Sequence, residues 1–291
     1  MSSYKLKIEV VGFFLRPNKP ELRKDFDKLK SSFEQFGIKV IVENESAKMI
    51  GVQGISLEQL FKISDILISL GGDGTLLSTV RRSFNCSKPI LPINGGRLGF
   101  LAGLRLDEAH KFISNLVYKK YKIEKRKILK IEFKNGDKNF ALNDIVITNR
   151  ERMKMSNIQV LTDSNDEIYE KQLLNRYYGD ALIISTPTGS TAYNLSSGGP
   201  ILHPEMSSYI LTPIAPHSLT QRPIVLPSRL NIHVSLEESD GVLVIDGQEI
   251  INLVNGDFIK VSLSPIPIKI IRVEDYNFFD TLREKLKWGT D

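Results

Sequence analysis

Five consecutive residues, Gly71-Gly72-Asp73-Gly74-Thr75, put a carboxylate inside a glycine-rich turn. Glycine accepts left-handed backbone and lets main-chain N–H groups come close to oxygen atoms. Between a strand and a helix, such a turn is a natural phosphate cradle, because the helix start offers unpaired amides and the positive end of its dipole. A carboxylate placed there repels phosphate unless it has another task. Asp73 could accept a proton from an attacking hydroxyl, or hold a divalent metal that bridges phosphates. It could also simply cap the helix as an Asx-type turn residue. The loop lacks the Gly-Lys-Ser/Thr ending of a Walker loop and the spacing of a GxGxxG dinucleotide fingerprint.

Three further polar clusters stand out. Asn94-Gly95-Gly96-Arg97 forms a second glycine turn, with Asn94 able to donate and accept hydrogen bonds and Arg97 able to pair with phosphate. The candidate phosphate contacts are therefore Gly71, Gly72, Gly74, Thr75, Asn94, Gly95, Gly96 and Arg97. Residues 179–200 read GDALIISTPTGSTAYNLSSGGP, in which Ser185, Thr186, Thr188, Ser190 and Thr191 supply hydroxyls that could ligate phosphate and ribose. The plainer alternative is a capped Ser/Thr turn. Tyr193 could stack on a base or pack in the core. Asn143-Asp144 is a polar pair at the entry to an apolar strand; taken alone it reads as an ordinary strand-entry turn.

The elements around these clusters fall into two patterns. Residues 7–14 are apolar and β-branched, and Leu22, Phe26, Leu29, Phe33 and Phe36 then recur at helical spacing up to Gly37. Strands are expected at 38–42, 65–70 and 89–93, with helices at 57–63, 76–84 and 107–117. This alternation implies a parallel sheet covered on both faces, with the two glycine turns at neighbouring carboxyl ends. From about residue 118 to 273 the chain reads as short strands and turns, with one helix near 191–196. The tail over 276–288 returns to helical spacing. The expected organisation is an α/β N-terminal domain over 1–118, completed by 274–291, and a β-rich, β-sandwich-like C-terminal domain over 119–273.

The composition is that of a globular chain: 291 residues, 41% hydrophobic and 25% charged. The formal net charge of +5 suits an anionic ligand but is too mild to indicate nucleic acid, and the basic run at 119–130 is interrupted by Ile123, Ile128 and Leu129. It reads as a solvated linker and strand, so no nucleic-acid partner is expected. A single cysteine, Cys86, allows neither an internal disulfide nor a cysteine metal cluster. No signal peptide or membrane-length apolar run is present, so no membrane partner and a cytoplasmic location are expected.

Taken together, GGDGT, NGGRLGFL, ALNDIVI, STPTGSTAYNLSSGGPIL, LTPIAPHSL and DGQE resemble the NAD kinases, in that family's order and at similar spacing, from about residue 8 to 273. GGDGT alone is shared with phosphofructokinases and with diacylglycerol and sphingosine kinases; its combination with ALNDIVI and STPTGSTAYNLS is far more specific. The resemblance implies transfer of the terminal phosphate of ATP to the 2′-hydroxyl of the adenosine ribose of NAD, with a divalent ion such as Mg²⁺. It implies Asp73 as the catalytic proton acceptor, with Gly74 beside it against the dinucleotide. Asn143 and Asp144 match the adenine and ribose contacts. Asp180 matches a contact at the nicotinamide end. Thr191, Ala192, Tyr193, Asn194, Leu195 and Ser196 match the segment lining the substrate, with Tyr193 against the adenine. Ala215 and Gln248 match further NAD contacts, and Lys154 stands where many members have Arg or His. Two positions depart from the pattern: Ala181 replaces a usual glycine, and Tyr178 stands where many members have Arg. The family is usually homodimeric or homotetrameric, and polyphosphate is a second donor class to consider. The competing readings are a lipid or sugar kinase sharing GGDGT, and a dinucleotide-binding regulator without turnover.

Overall fold

A computed structural model describes residues 7–96, 99–151, 154–164, 171–287 and 289. The chain divides into two units, residues 1–125 with 268–291, and residues 126–267.

The first unit is α/β, as the alternating pattern implies. Its sheet runs in the order Lys39–Val42, Val10–Leu15, Ile66–Gly71, Ile90–Asn94, Ile268–Arg272, Lys122–Arg126, with Leu104–Arg105 added beside Ile90–Asn94. The first five strands of that order, and Leu104–Arg105, pair in parallel. The strand Ile66–Gly71 is buried at every residue, as expected for a parallel strand covered on both faces. Helix Arg23–Glu34 turns Phe26, Leu29 and Phe33 inward, and Phe26 and Phe33 meet the Phe13 ring edge-on at 5.3 and 5.9 Å. A helix at Asn44–Ile50 goes unannounced by periodicity, being only seven residues long. Its ends explain it: the Glu43 carboxylate accepts the N–H groups of Glu45 and Ser46, and Gly51 closes it in left-handed conformation.

Part of the basic run, Lys122–Arg126, is a strand of this sheet rather than a solvated linker. Buried Arg272, on the strand Ile268–Arg272, donates from Nε to Glu124 at 2.8 Å and covers the Tyr276 ring at 4.4 Å. The tail forms the helix Phe278–Leu286.

The second unit is a β-sandwich of two antiparallel six-stranded sheets. One has the order Gln172–Gly179, Ser156–Ser164, Leu230–Glu237, Phe258–Leu263, Leu129–Phe133, Lys138–Ala141. The other runs Ile224–Pro227, Ser208–Ile214, Ala181–Ser185, Asp144–Asn149, Gly241–Ile245, Glu249–Leu253. Alternate residues of both sheets, such as Ile131, Val160, Ile232 and Val261 from one and Ile145, Ile147, Leu182, Ile184 and Leu243 from the other, form one core. Among the described residues, no helix is long and apolar enough to cross a membrane.

Candidate functional site

In the first unit, the two glycine turns lie side by side. Gly71 pairs with Asn94 across the parallel strands, and the Gly95 N–H donates to the Gly71 carbonyl at 3.2 Å. Arg97 lies outside the described residues. The helix after the first turn begins three residues earlier than its apolar spacing suggests. It runs Asp73–Ser83 with extended Gly72 as its N-cap, so Asp73 is the first helical residue rather than the middle of a turn. An acidic side chain in the first turn suits the helix dipole. Gly71 is obligatory, since a Cβ there would meet Thr75 Oγ1 at 2.1 Å. Thr75 Oγ1 is itself buried without a hydrogen-bond partner. Asn94 is turned into its own loop: Oδ1 accepts the Gly96 N–H at 2.8 Å, and Nδ2 donates to the Ala102 carbonyl at 3.3 Å.

The Asp73 carboxylate is held by main chain. Oδ2 accepts the Phe100 N–H at 2.8 Å, and Oδ1 accepts those of Leu101 and Ala102 at 3.2 and 2.8 Å. Gly99 makes this approach possible, because a Cβ there would lie 1.9 Å from Asp73 Oδ1. Arg272 donates from Nη1 to the Leu101 carbonyl, so the returning C-terminal strand steadies the loop that orients Asp73. Gly99 was visible in NGGRLGFL; the contribution of Arg272 was not, since nothing in sequence joins positions 101 and 272.

In the second unit, a cavity of about 350 Å³ is lined by Asn143, Asp144, Val146, Ala192, Tyr193, Val244, Asp246 and Gly247. Four residues singled out from the sequence thus converge there. Asp144 sits deep in the wall, Tyr193 is half-exposed, and Val146 and Val244 add apolar surface. A cavity that combines apolar surface with a few polar groups suits a base and a ribose. Two larger clefts, of about 640 and 510 Å³, lie elsewhere in this unit and contain none of the singled-out residues.

The hydroxyl-rich run builds the cavity's frame instead of lining it. Ser185 and Thr186 donate from their hydroxyls to the carbonyls of Asn143 and Leu142, and Ser190 Oγ donates to Pro187 O at 2.6 Å. Asn194 is fully buried: Nδ2 donates to the carbonyls of Ser190 and Pro200, and Oδ1 accepts the Thr212 hydroxyl at 2.7 Å. Thr191 donates back to Thr188, and neither Leu195 nor Ser196 lines the cavity. The sequence reading missed Val146, Val244, Asp246 and Gly247; of these only Asp246 and Gly247 carried a signal, within DGQE. Gln248 closes the same hairpin and is exposed.

Burial, and then the facing negative charge of Asp246, raise the Asp144 carboxyl from the ordinary 3.8 to about 7. In the unfolded chain Asp144 ionises near its ordinary value, while in the folded chain it keeps its proton to about neutrality. Its contribution to stability is therefore complete below pH 4 and is lost as pH rises towards 7. Asp144→Asn removes that dependence. The variant is expected to gain stability relative to the native chain between pH 4 and pH 8, by up to roughly 4 kcal/mol. Denaturant melts at the two pH values check this; an unchanged difference between the proteins would contradict it.

The remaining residues gather at the opposite end of the same strands. Ala181 pairs with Thr148 and Ile214, whereas Ser185 pairs with Asp144, so the two groups lie about 13 Å apart along the sheet. There the exposed Asp180 donates its N–H to Ile214 O at 3.0 Å, and Ala215 adopts a positive φ of 42°. Tyr178, one of the two departures, stacks edge-on against His217. Lys154 is exposed and pairs with Glu151 at 3.5 Å. The structure thus separates Asp180 and Ala215 from the group around Asn143, Asp144 and Tyr193.

Residues 11–121 match the family model described as the ATP-NAD kinase N-terminal domain, and residues 142–273 match the ATP-NAD kinase C-terminal domain. The chain belongs to the ATP-NAD kinase family. It is 44% identical to the NAD kinase of Sulfurimonas denitrificans, covering 97% of this chain and 98% of that protein. It is 43% identical to the NAD kinase of Wolinella succinogenes, covering 96% and 95%. Among solved structures, this ATP-NAD kinase family member resembles yeast NADH kinase complexed with NADH. The TM-score is 0.88 at 26% identity, covering 99% of this chain and 90% of that one. The NAD kinase from Archaeoglobus fulgidus shares the fold, with a TM-score of 0.76 at 24% identity over 96% of this chain and 98% of that one.

Proposed function

We propose that the chain is an NAD kinase that transfers the γ-phosphoryl group of ATP to the 2′-hydroxyl of the adenosine ribose of NAD, giving NADP and ADP. The observation that carries this is the 44% identity to an NAD kinase over nearly the whole of both chains. The geometry supports it in two places. The paired glycine turns and the start of helix Asp73–Ser83 are suited to cradling phosphate, with buried Thr75 Oγ1 unpartnered beside them. The cavity at Asn143, Asp144 and Tyr193 offers ring-facing and hydrogen-bonding groups to an adenosine.

In this reading the 2′-oxygen attacks the γ-phosphorus, the bond to the ADP oxygen breaks, and Asp73 takes the hydroxyl proton. The three N–H groups of residues 100–102 fix the direction of the Asp73 carboxylate. Among the described residues no cluster of three His, Cys, Asp or Glu side chains could hold a metal ion. A divalent ion such as Mg²⁺ would accompany the triphosphate and neutralise part of its charge. Asp180 and Ala215, a strand length away from Asp144, are assigned to the nicotinamide half of the dinucleotide. A homodimer or homotetramer and a cytoplasmic setting accompany the assignment.

The resemblance to yeast NADH kinase favours NADH as a second acceptor. Initial rates should be measured with NAD or NADH as acceptor and with Mg-ATP or polyphosphate as donor, alongside a sugar phosphate and a diacylglycerol. The expected result is turnover of NAD with ATP and none of the sugar phosphate or lipid. Phosphorylation of either of those in place of the dinucleotide would overturn the assignment.

A further inference from the structure

The hairpin between the strands Gly241–Ile245 and Glu249–Leu253 turns at Asp246 and Gly247, with φ of +49° and +65°. The Gln248 N–H closes it on the Ile245 carbonyl at 2.9 Å. This is a type I′ turn, for which Asp-Gly is a suitable sequence. The turn explains the residue type but not where the carboxylate goes. Asp246 is buried, and its Oδ1 accepts the N–H groups of Asn143 at 2.7 Å and Asp144 at 3.2 Å. Its Oδ2 accepts that of Leu142 at 3.0 Å, and its own N–H donates to the Asp144 carbonyl at 2.9 Å. Four hydrogen bonds thus join two segments about a hundred residues apart in sequence, and both border the same cavity. A buried carboxylate beside a second buried carboxyl is unfavourable unless its partners hold it in place. Here the partners are three successive main-chain donors, which a shorter or neutral side chain would leave unpaired.

We infer that Asp246 is a positioning residue of the dinucleotide site: by gathering the N–H groups of Leu142, Asn143 and Asp144 it fixes how Asn143 and Asp144 are presented to the cavity. The inference rests on the NAD kinase reading for the identity of the ligand. Asp246 acts through those residues and is not assigned a contact with the reacting atoms. It has a second effect. Its negative charge, added to burial, keeps the Asp144 side chain protonated near neutrality, so that Asp144 can donate a hydrogen bond to a ribose oxygen. The rest of the wall presents uncharged Asn143, Val146, Ala192, Val244 and Gly247 and the phenol of Tyr193, so Asp246 is the charged group of this cavity lining that faces Asp144.

Asp246→Asn tests the inference in the full chain. An amide offers one acceptor oxygen and turns an NH₂ group towards main-chain donors. The KM for NAD should rise about tenfold or more, while the KM for ATP stays within about twofold. Titration of Asp144 should give the native chain an inflection of kcat/KM for NAD near pH 7, and in the variant that inflection should move to lower pH, because the like charge facing Asp144 is gone. Hydrogen exchange at the amides of 142–144 should accelerate about tenfold or more. Unchanged exchange and an unchanged KM for NAD would overturn the inference. So would a parallel rise in both KM values with the pH inflection in place, which marks a merely structural role. If Asp246→Asn does not fold, Asp144→Asn carries the test. That variant should abolish the inflection and keep 142–144 protected, and a surviving inflection would overturn the inference. Absence of NADP formation by the native chain would instead sink the kinase reading; hydrogen exchange would still judge the positioning role.

Discussion

Asp73→Asn lowers turnover at saturating NAD and ATP by roughly 10²-fold or more, the range typical for loss of a positioned proton acceptor. The substitution leaves the shape of the side chain and removes its charge. It also replaces one of the oxygens that the N–H groups of Phe100, Leu101 and Ala102 now reach, so a loss of about 1–3 kcal/mol in stability accompanies it. Assays held well below the variant's melting temperature separate the two effects. Turnover close to that of the native chain would show that Asp73 serves only to tie the 100–102 loop to the helix start. The family assignment would survive that outcome; the proton-acceptor role would not.

Gly189→Ala strikes the cavity of the second unit through the backbone. A Cβ at Gly189 would stand 2.1 Å from the Asn143 carbonyl oxygen and 2.4 Å from its carbon. Asn143 has little freedom to retreat. Its N–H is bound to Asp246 at 2.7 Å, and its carbonyl accepts the Thr186 N–H at 2.8 Å. The clash is expected to lower stability by about 1–3 kcal/mol, as for other overpacked sites, and to displace Asn143 and Asp144 from the cavity wall. The KM for NAD should rise about tenfold or more, with a smaller change for ATP. Native-like melting together with a native-like KM would contradict the close packing on which the description of this cavity depends.

Much of this was legible in the residues themselves. The alternation of apolar strands and helical spacing in the first part follows directly from burial on both faces of a parallel sheet, and the strand ends placed the two glycine turns side by side. The start of the helix at Asp73 was harder to read, because Gly72 and Gly74 break the apolar pattern that marks a helix while the N-cap leaves no hydroxyl signature. Several strands of the sandwich, such as Lys138–Ala141 and Glu249–Leu253, carry mixed polar and apolar residues on exposed edges, so their periodicity is weak. The strand Ile268–Arg272 joins the first sheet by a pairing that no local pattern could announce.

The site divides in the same way. Residue types singled out Asp73 and Tyr193 as candidates, and the resemblance to the NAD kinases added Asn143 and Asp144. They did not show that Asn94 and Asn194 spend their side chains on their own loops, because an amide that binds a ligand and one that braces a turn look alike in sequence. Asp246 was hidden for a related reason: an Asp-Gly turn is a sufficient explanation until the carboxylate is seen to reach three amides of another strand.

The most direct test of the central claim is a reaction of the native chain with NAD and Mg-ATP carrying a label in the γ-phosphate. The product is read with an NADP-specific dehydrogenase. The account predicts label in NADP at the 2′-position, with one ADP released for each NADP formed. A chain that binds NAD but transfers no label to it would contradict the account.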